Sequence, residues 1–366
     1  MPVNFRITWD ATPVYEEDFL DCSYGFRTGR GAHQALEALW RGLMDIGGGW
    51  VIDLDIASFF DNVDRKHLRS FLDQRVRDGV IRRAIGKWLN AGVMETGVVW
   101  YPEQGTPQGG VISPLLANVY LHEVLDVWFD REVKARLRGR AFLIRFADDA
   151  VLAFEQEADA RRVLAVLPKR LGRYGLTLHS EKTRLVDMRR PTDVSGNEGG
   201  PGSRGTFDML GFTHFWGRSR KGRWVVKRKT AKGRFGRSLK RVAQWCRTNR
   251  HRPIVEQHAA LNRKLQGHYA YYGITGNSHA LSRFCREVER AWRKWLGRRS
   301  SKAHSSWEKF GPLLARYPLA PRVSYTVCTV VQRFRSSRNR MRECRTSGSA
   351  GTAGGQLPAA TRPPVK

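Results

Sequence analysis

Charge divides this 366-residue chain into two unlike parts. Residues 1–210 carry 28 Lys or Arg against 29 Asp or Glu, a balance of −1, whereas residues 211–366 carry 36 against five, a balance of +31. A stretch that basic repels itself unless it meets a polyanion. It therefore cannot be an ordinary neutral domain, and nucleic acid, whose phosphates release counterions when neutralised, is its natural partner. The alternative is a solubilising or membrane-surface face. Membrane binding would want a basic amphipathic helix at one end, and none stands out. No run of eighteen apolar residues predicts a membrane span. The opening MPVNFRITWD lacks the apolar core of a secretory leader. Five scattered cysteines without CxxC spacing argue against a zinc knuckle or a disulfide framework and fit a reducing cytosol.

The first part reads as mixed helix and strand, an α+β layout. Apolar residues recur at helical spacing over residues 32–46. Trp50–Ile56 (WVIDLDI) is a β-branched run read as one strand. Asp64 is placed to cap a helix over Arg65–Val76. Gly105–Gly110 (GTPQGG) is turn-rich, and Ser113–Pro114 offers a cap and a first-turn proline for a helix running through LLANVYLHEVLDVWF. Ala141–Phe154 (AFLIRFADDAVLAF) predicts two strands around a turn at Asp148–Asp149. Glu155–Tyr174 should be helical and interrupted at Pro168. Pro191–Thr206 reads as a mobile loop, and Lys221–Lys229 as a strand flanked by charge. A helical pattern over Ser238–Arg299 breaks at Gly273–Asn277, and the Gly/Ala/Pro/Ser-rich tail from Thr346 is expected to be disordered.

Three aspartates stand out by context. Asp55 ends an apolar strand, and Asp148 and Asp149 sit at the tip of an apolar hairpin. An Asp-Asp pair in a turn is commonly a turn former and nothing more. Side by side, however, such carboxylates repel, and a divalent cation would relieve them. Hard oxygen donors suit magnesium, and two magnesium ions can activate an attacking 3′-hydroxyl and steady a leaving pyrophosphate.

Six blocks in order sharpen this reading: Ser23–Leu36 (SYGFRTGRGAHQAL), Val51–Asp64 (VIDLDIASFFDNVD), Gly105–Leu121 (GTPQGGVISPLLANVYL), Ile144–Leu152 (IRFADDAVL), Gly175–Leu185 (GLTLHSEKTRL) and Met209–Phe212 (MLGF). They resemble the successive blocks of bacterial group II intron-encoded reverse transcriptases. Leu261–Gly273 (LNRKLQGHYAYYG), Ala291–Arg298 and Trp307–Pro321 are similar to that family's maturase domain, domain X. The resemblance covers residues 15 to about 325. It implies a right-hand polymerase palm with partial fingers over 1–215, a basic helical thumb and maturase domain over 216–330, and a basic tail over 331–366. No endonuclease domain is expected, because nothing after Pro321 offers zinc-ligand spacing.

By the same resemblance, Asp55, Asp148 and Asp149 are the catalytic carboxylates, and with the Ile56 carbonyl they would hold two Mg2+ ions. Phe60 lies under the incoming sugar, where it would exclude a 2′-hydroxyl; the plain alternative is a core phenylalanine. Gln108 and Gly109 touch the nucleotide. Lys182 lies near the triphosphate, or is an ordinary surface lysine. Leu210 and Gly211 grip the primer end. Phe146 and His179–Ser180 replace the commoner Tyr and Asn-Pro.

Residues 218–250 interleave fourteen Lys or Arg with Trp224, Phe235 and Trp245. Such a mixture suits phosphates and unpaired bases; the alternative is a solvated face over an aromatic core stripe. Arg218, Arg220, Lys221, Lys227, Arg228, Lys229, Arg263 and Lys264 are the candidate RNA contacts. The expected partners are the protein's own intron RNA, a DNA primer or target and dNTPs, with no membrane and with a homodimer left open, in a bacterial cytoplasm. Two other readings stand beside the polymerase: an RNA-binding maturase without polymerase activity, and a bacterial reverse transcriptase of defence or diversification.

Overall fold

A computed structural model describes residues 12–89, 112–191, 205–299 and 306–321, with the backbone of two short strands at Val93–Glu95 and Val98–Trp100. Its centre is a four-stranded antiparallel sheet. β1 (Trp50–Leu54) lies between β6 (Asp149–Phe154) and β8 (Arg184–Asp187), and β5 (Ala141–Phe146) forms the outer edge beyond β6. Val51, Val151 and Ala153 face one core together with helix α1 (Ala32–Asp45). Ile52, Leu54, Leu152 and Phe154 face another, formed with α5 (Ser113–Leu121) and α6 (Glu157–Gly172). Both faces are covered, which is why DAVLAF is apolar without alternation.

Between these elements lie β2 (Ile56–Ala57), α2 (Phe59–Asn62), α3 (Arg65–Asp73), α4 (Gly79–Leu89), β3 (Val93–Glu95), β4 (Val98–Trp100) and β7 (Thr177–Leu178). Asp64 caps α3 as expected, accepting hydrogen bonds from the Lys66 and His67 amides. Other local expectations change. The strand expected over 50–56 breaks after Leu54, because Ile56 leaves the sheet to pair with Leu178. Ser113 lies inside α5 rather than capping it; Ile112 precedes the helix and offers no side-chain acceptor. The same helix then continues with π-helical geometry over His122–Asp126 and Trp128–Val133. Pro168 does not interrupt α6. It lies on the exposed face, where water can serve the Leu164 carbonyl that its missing N–H leaves unpaired. The loop Gly105–Gly110, most of Pro191–Thr206 and the tail from Thr346 lie outside the described residues.

A second antiparallel sheet orders β9 (Phe207–Met209), β10 (Phe212–Arg218) and β11 (Trp224–Thr230). It is fastened to α1: Trp40 Nε1 donates to the Val226 carbonyl at 2.9 Å, and Arg228 Nη1 to the Leu36 carbonyl at 3.1 Å. The domain boundary expected at 215/216 therefore falls inside β10. Helices α7 (Lys232–Thr248), α8 (Ile254–Tyr272), α9 (Ser278–Leu296) and α10 (Trp307–Arg316) surround a separate core containing Leu261, Leu265, Phe284, Val288 and Trp292. Beyond the expected break near Gly273–Asn277, residues 249–253 also interrupt the helical run. No helix among the described residues is long and apolar enough to cross a membrane.

Candidate active site

Asp55 stands where the chain changes strand partner. Its amide donates to Thr183 Oγ1 at 3.3 Å, while its carbonyl accepts from the His179 amide at 2.9 Å and from the Thr183 hydroxyl at 3.2 Å. With its backbone occupied in this way, the side chain turns into a cleft of about 570 Å³ that Ile56, Phe60, Asp148 and Lys182 also line. Lys182 Nζ is 3.5 Å from Asp55 Oδ1, and both side chains are more than a third exposed. A pair this wet adds little stability, so its interest is where it puts the ammonium. Phe59 is core, whereas Phe60 is half-buried, stacks edge-on against Phe59 at 5.2 Å, and still reaches the cleft.

Asp148 and Asp149 come from the β5–β6 hairpin, but not as a symmetric turn. Phe146 pairs with Asp149, so Ala147 and Asp148 form the loop and Asp149 begins β6. Asp149 is exposed at the edge yet crowded by protein. Loss of water, then the charges of Asp148 and Asp55, push its carboxyl above the usual range, with Arg234 opposing them. The three aspartates thus share one electrostatic neighbourhood.

Backbone strain gathers around them. Phe26, Ser58, Ala147 and Leu210 are the non-glycine residues with left-handed backbone among the described residues. Ser58 lines the cleft, Ala147 precedes Asp148, and the Phe26 ring lies 6.4 Å from that of Phe146. Such conformations cost roughly 1–3 kcal/mol each and persist only where the surroundings enforce them. Part of that enforcement is Gly25, where a Cβ would lie 2.3 Å from the Ala147 amide nitrogen. The rest is a buried network. Arg145 donates to Asp126 through Nε at 2.8 Å and Nη2 at 2.6 Å, to Asn118 Oδ1 and the Ala147 carbonyl at 3.0 Å each, and to Ser23 Oγ at 2.8 Å. Burial works against the guanidinium charge, but Asp126 outweighs it and holds the pKa above the ordinary arginine value. Arg145 and Asp126 escape a reading based on catalytic residue types. The available signal is a charge on a core-facing position of an otherwise apolar run, in AFLIRF and in VLDVWF.

Carboxylate oxygens are the donors magnesium takes, and the crowding that raises Asp149 is what a cation would relieve. Among the described residues, however, no three His, Cys, Asp or Glu are drawn together tightly enough to ligate one ion. The donors are of the right kind for magnesium. Gln108 and Gly109 lie outside the described residues. Leu210 and Gly211 form the left-handed turn between β9 and β10, and Tyr271 Oη donates to the Leu210 carbonyl at 2.8 Å.

The RNA candidates divide. Arg220, Lys221, Arg263 and Lys264 are exposed, and Lys227 is half-buried. Lys229 lies over Phe215, and Arg218 lies over Trp224 and donates to the Gly222 carbonyl. Arg228 is buried and spent on Leu36, so it presents no guanidinium to a ligand. In α8, His268 and Tyr269 are buried, with His268 stacked 3.8 Å from Phe284, so they pack rather than face outward.

The antiparallel sheet sets Asp55 and Asp148 on an open cleft, and a strongly basic half follows it in the chain. Residues 4–214 match the family described as reverse transcriptase (RNA-dependent DNA polymerase), and the chain belongs to that family. Its four-stranded sheet is the palm. The chain is similar to the group II intron-encoded protein LtrA of Lactococcus lactis subsp. cremoris, 40% identical over 131 residues that cover 34% of this chain and 21% of that protein. It is also similar to protein YkfC of Escherichia coli (strain K12), 36% identical over 129 residues, 34% of each chain. The matches thus span about a third or less of these relatives. Among solved structures, telomerase from Candida albicans in complex with a TWJ fragment of telomeric RNA aligns with a TM-score of 0.44 at 12% identity, over 86% of this chain and 55% of that one.

Proposed function

We propose that the chain is an RNA-directed DNA polymerase of the group II intron type that also binds its intron RNA and assists splicing. The observation that carries the polymerase reading is the shared neighbourhood of Asp55, Asp148 and Asp149 beside one open cleft. In this reading the three carboxylates and the Ile56 carbonyl would hold two magnesium ions, which would supply charge neutralisation at the reacting oxygens. The chain's own residues orient the rest. Phe60 fills the space of a ribose 2′-hydroxyl, Gln108 and Gly109 meet the nucleotide, and Lys182 moves from Asp55 to the triphosphate. The Leu210–Gly211 turn steadies the primer strand, and the basic half carries the RNA.

The test is primer extension on an RNA template, with RNA affinity measured in parallel. Asp148→Ala should abolish extension and leave RNA binding near wild type. A variant that still extends primers would overturn the assignment. The second reading, an RNA-binding maturase without polymerase activity, draws on the Lys182–Asp55 pair, which occupies a carboxylate the metal would need. Its outcome in the same assay is distinct: RNA is bound, and the unaltered protein extends nothing.

A further inference from the structure

The position of Asp148 is set by the residue before it. Ala147 is buried and left-handed, and both of its peptide planes are clamped. On the amide side stands Gly25, so close that a Cβ there would lie 2.3 Å from the Ala147 nitrogen. On the carbonyl side, in the peptide that leads into Asp148, Arg145 Nη1 donates to the Ala147 oxygen at 3.0 Å. The other N–H groups of that guanidinium are taken by Asp126, Asn118 and Ser23, so none is left over. Asn118 joins the two clamps: its Oδ1 accepts from Arg145 at 3.0 Å, and its Nδ2 donates to the Gly25 carbonyl at 2.7 Å. Residues 22–24 close the frame along β5, through the Arg145 amide on the Cys22 carbonyl at 2.8 Å and the Tyr24 amide on the Arg145 carbonyl at 2.9 Å. Ser23, Asn118, Asp126 and Arg145 are all buried. A buried ion pair is by itself weak evidence of stability, since apolar residues of similar volume often serve as well. What an apolar side chain cannot do is aim a donor at the carbonyl before Asp148.

We propose that Arg145, braced by Asn118 and Ser23, is the positioning residue of the cleft: it holds the Ala147–Asp148 peptide in the strained orientation that turns the Asp148 carboxylate into the cleft lined by Asp55. This rests on the polymerase reading, in which those carboxylates hold divalent cations. Arg145 touches no reacting atom. It acts through a hydrogen bond on a left-handed residue that would otherwise relax. Asp126 keeps the guanidinium charged, while Asn118 and Ser23 fix the direction in which its plane points. Lysine at this position would keep a charge for Asp126. Its donors all leave one nitrogen, however, and cannot also reach Asn118, Ser23 and the Ala147 carbonyl in the directions a planar fork does.

The experiment is a double-mutant cycle between positions 145 and 148 on the full chain, read as Mn2+ binding by electron paramagnetic resonance without substrate. Asp148→Ala defines the share of binding that belongs to the cleft. Arg145→Lys should weaken that share roughly 10- to 100-fold, the usual effect of removing a group that orients a metal ligand. In the Asp148→Ala background, Arg145→Lys should add nothing. In primer extension the same variant should lose kcat, while KM for dNTP and affinity for primer annealed to template stay near the unaltered values. Ser23→Ala takes one partner from Nη2 and leaves the Asp126 pair. It should show a smaller loss of the same kind, and it carries the test if Arg145→Lys does not fold. Unchanged Mn2+ binding in both variants, or an equal loss with and without Asp148, would overturn the proposal. Failure of the polymerase reading gives a different pattern, in which Asp148→Ala leaves Mn2+ binding unaltered, and the proposal falls with it.

Discussion

The palm and the basic half bury their arginines by different means. The palm, with acids and bases in balance, encloses Arg145 with a bidentate Asp126 and satisfies the remaining donors with Ser23, Asn118 and a carbonyl. Beyond residue 210 there are only five acids to spend. Arg228 is buried against the Leu36 carbonyl, and its nearest carboxylate is Glu37 of α1 at 3.9 Å. His214 is fully buried as a flat ring stacked 4.9 Å from Phe207, and both of its nitrogens lack a hydrogen-bond partner. Cations that would pair with acids elsewhere lie on rings instead: Arg247, Lys294 and Arg298 all lie within 5.7 Å of the Trp295 centroid. A half built this way keeps its positive charge outward and available. The palm pairs much of its charge within itself, in the buried Arg145–Asp126 pair and in surface pairs such as Arg75–Asp18 and Arg82–Asp73.

The sharpest way to break that contrast is to remove one charge from the palm network. Asp126→Ala strands a fully buried guanidinium, and such a loss costs about 3–5 kcal/mol. Urea unfolding should show the palm collapsing first, with the β5–β6 hairpin losing its anchor beneath Asp148. A loss below about 1 kcal/mol would mean that the pair is no more than the weak contact typical of surfaces. Gly25 would then be left as the main restraint on the hairpin.

Parts of this design are legible in sequence, and parts are not. Asp55, Asp148 and Asp149 stand out because carboxylates at the ends of apolar runs have few structural excuses. The covered sheet is legible because WVIDL and DAVLAF are apolar at strand length. The break at Asp55 is not, since nothing in WVIDLDI marks a strand end and only the competing pairing of Ile56 with Leu178 ends the strand. The Arg145–Asp126 partnership spans nineteen residues and depends on π-helical phase after Leu121, which no 3.6-residue pattern foretells.

The next expected effect is a pH dependence to which the basic half contributes through buried histidines, beside His122 of the palm, which burial also lowers. Burial first, then the nearby Arg228, depresses His214 from 6.5 to about 3. Above pH 6.5 the ring is neutral in both folded and unfolded chains, and its contribution does not change. Between pH 6.5 and about 3 the unfolded chain binds the extra proton, so stability falls as the solution is acidified. His268, lowered to about 4 by burial, adds to the same trend. His214→Phe should flatten part of the slope between pH 7 and 5 in denaturant titrations, the stacked ring on Phe207 being kept. An unchanged slope would place the acid sensitivity elsewhere, His122 of the palm included.

The smallest effect tests whether the cations gathered on rings serve a polyanion. Arg298 lies 5.2 Å from the Trp295 centroid on an exposed stretch of the α9 end. As a cation–π contact at an exposed site it contributes about 0.5–1 kcal/mol to stability. As a phosphate contact it contributes something separable, because each neutralised phosphate on a single strand adds about 0.7 to the log–log salt slope of binding. Arg298→Gln should therefore lower that slope by about 0.7 on single-stranded RNA while barely moving the unfolding midpoint. Arg228→Gln, at a buried arginine with an internal partner, should do the reverse: it should destabilise the β10–β11 hairpin and leave the slope unchanged. The full chain is the right material for both, since β10 and β11 are bound to α1 and a fragment cut at 215 would divide β10. If Arg298 and Arg228 changed the slope equally, exposure would not be what selects the RNA contacts, and the distinction between spent and available cations would fail.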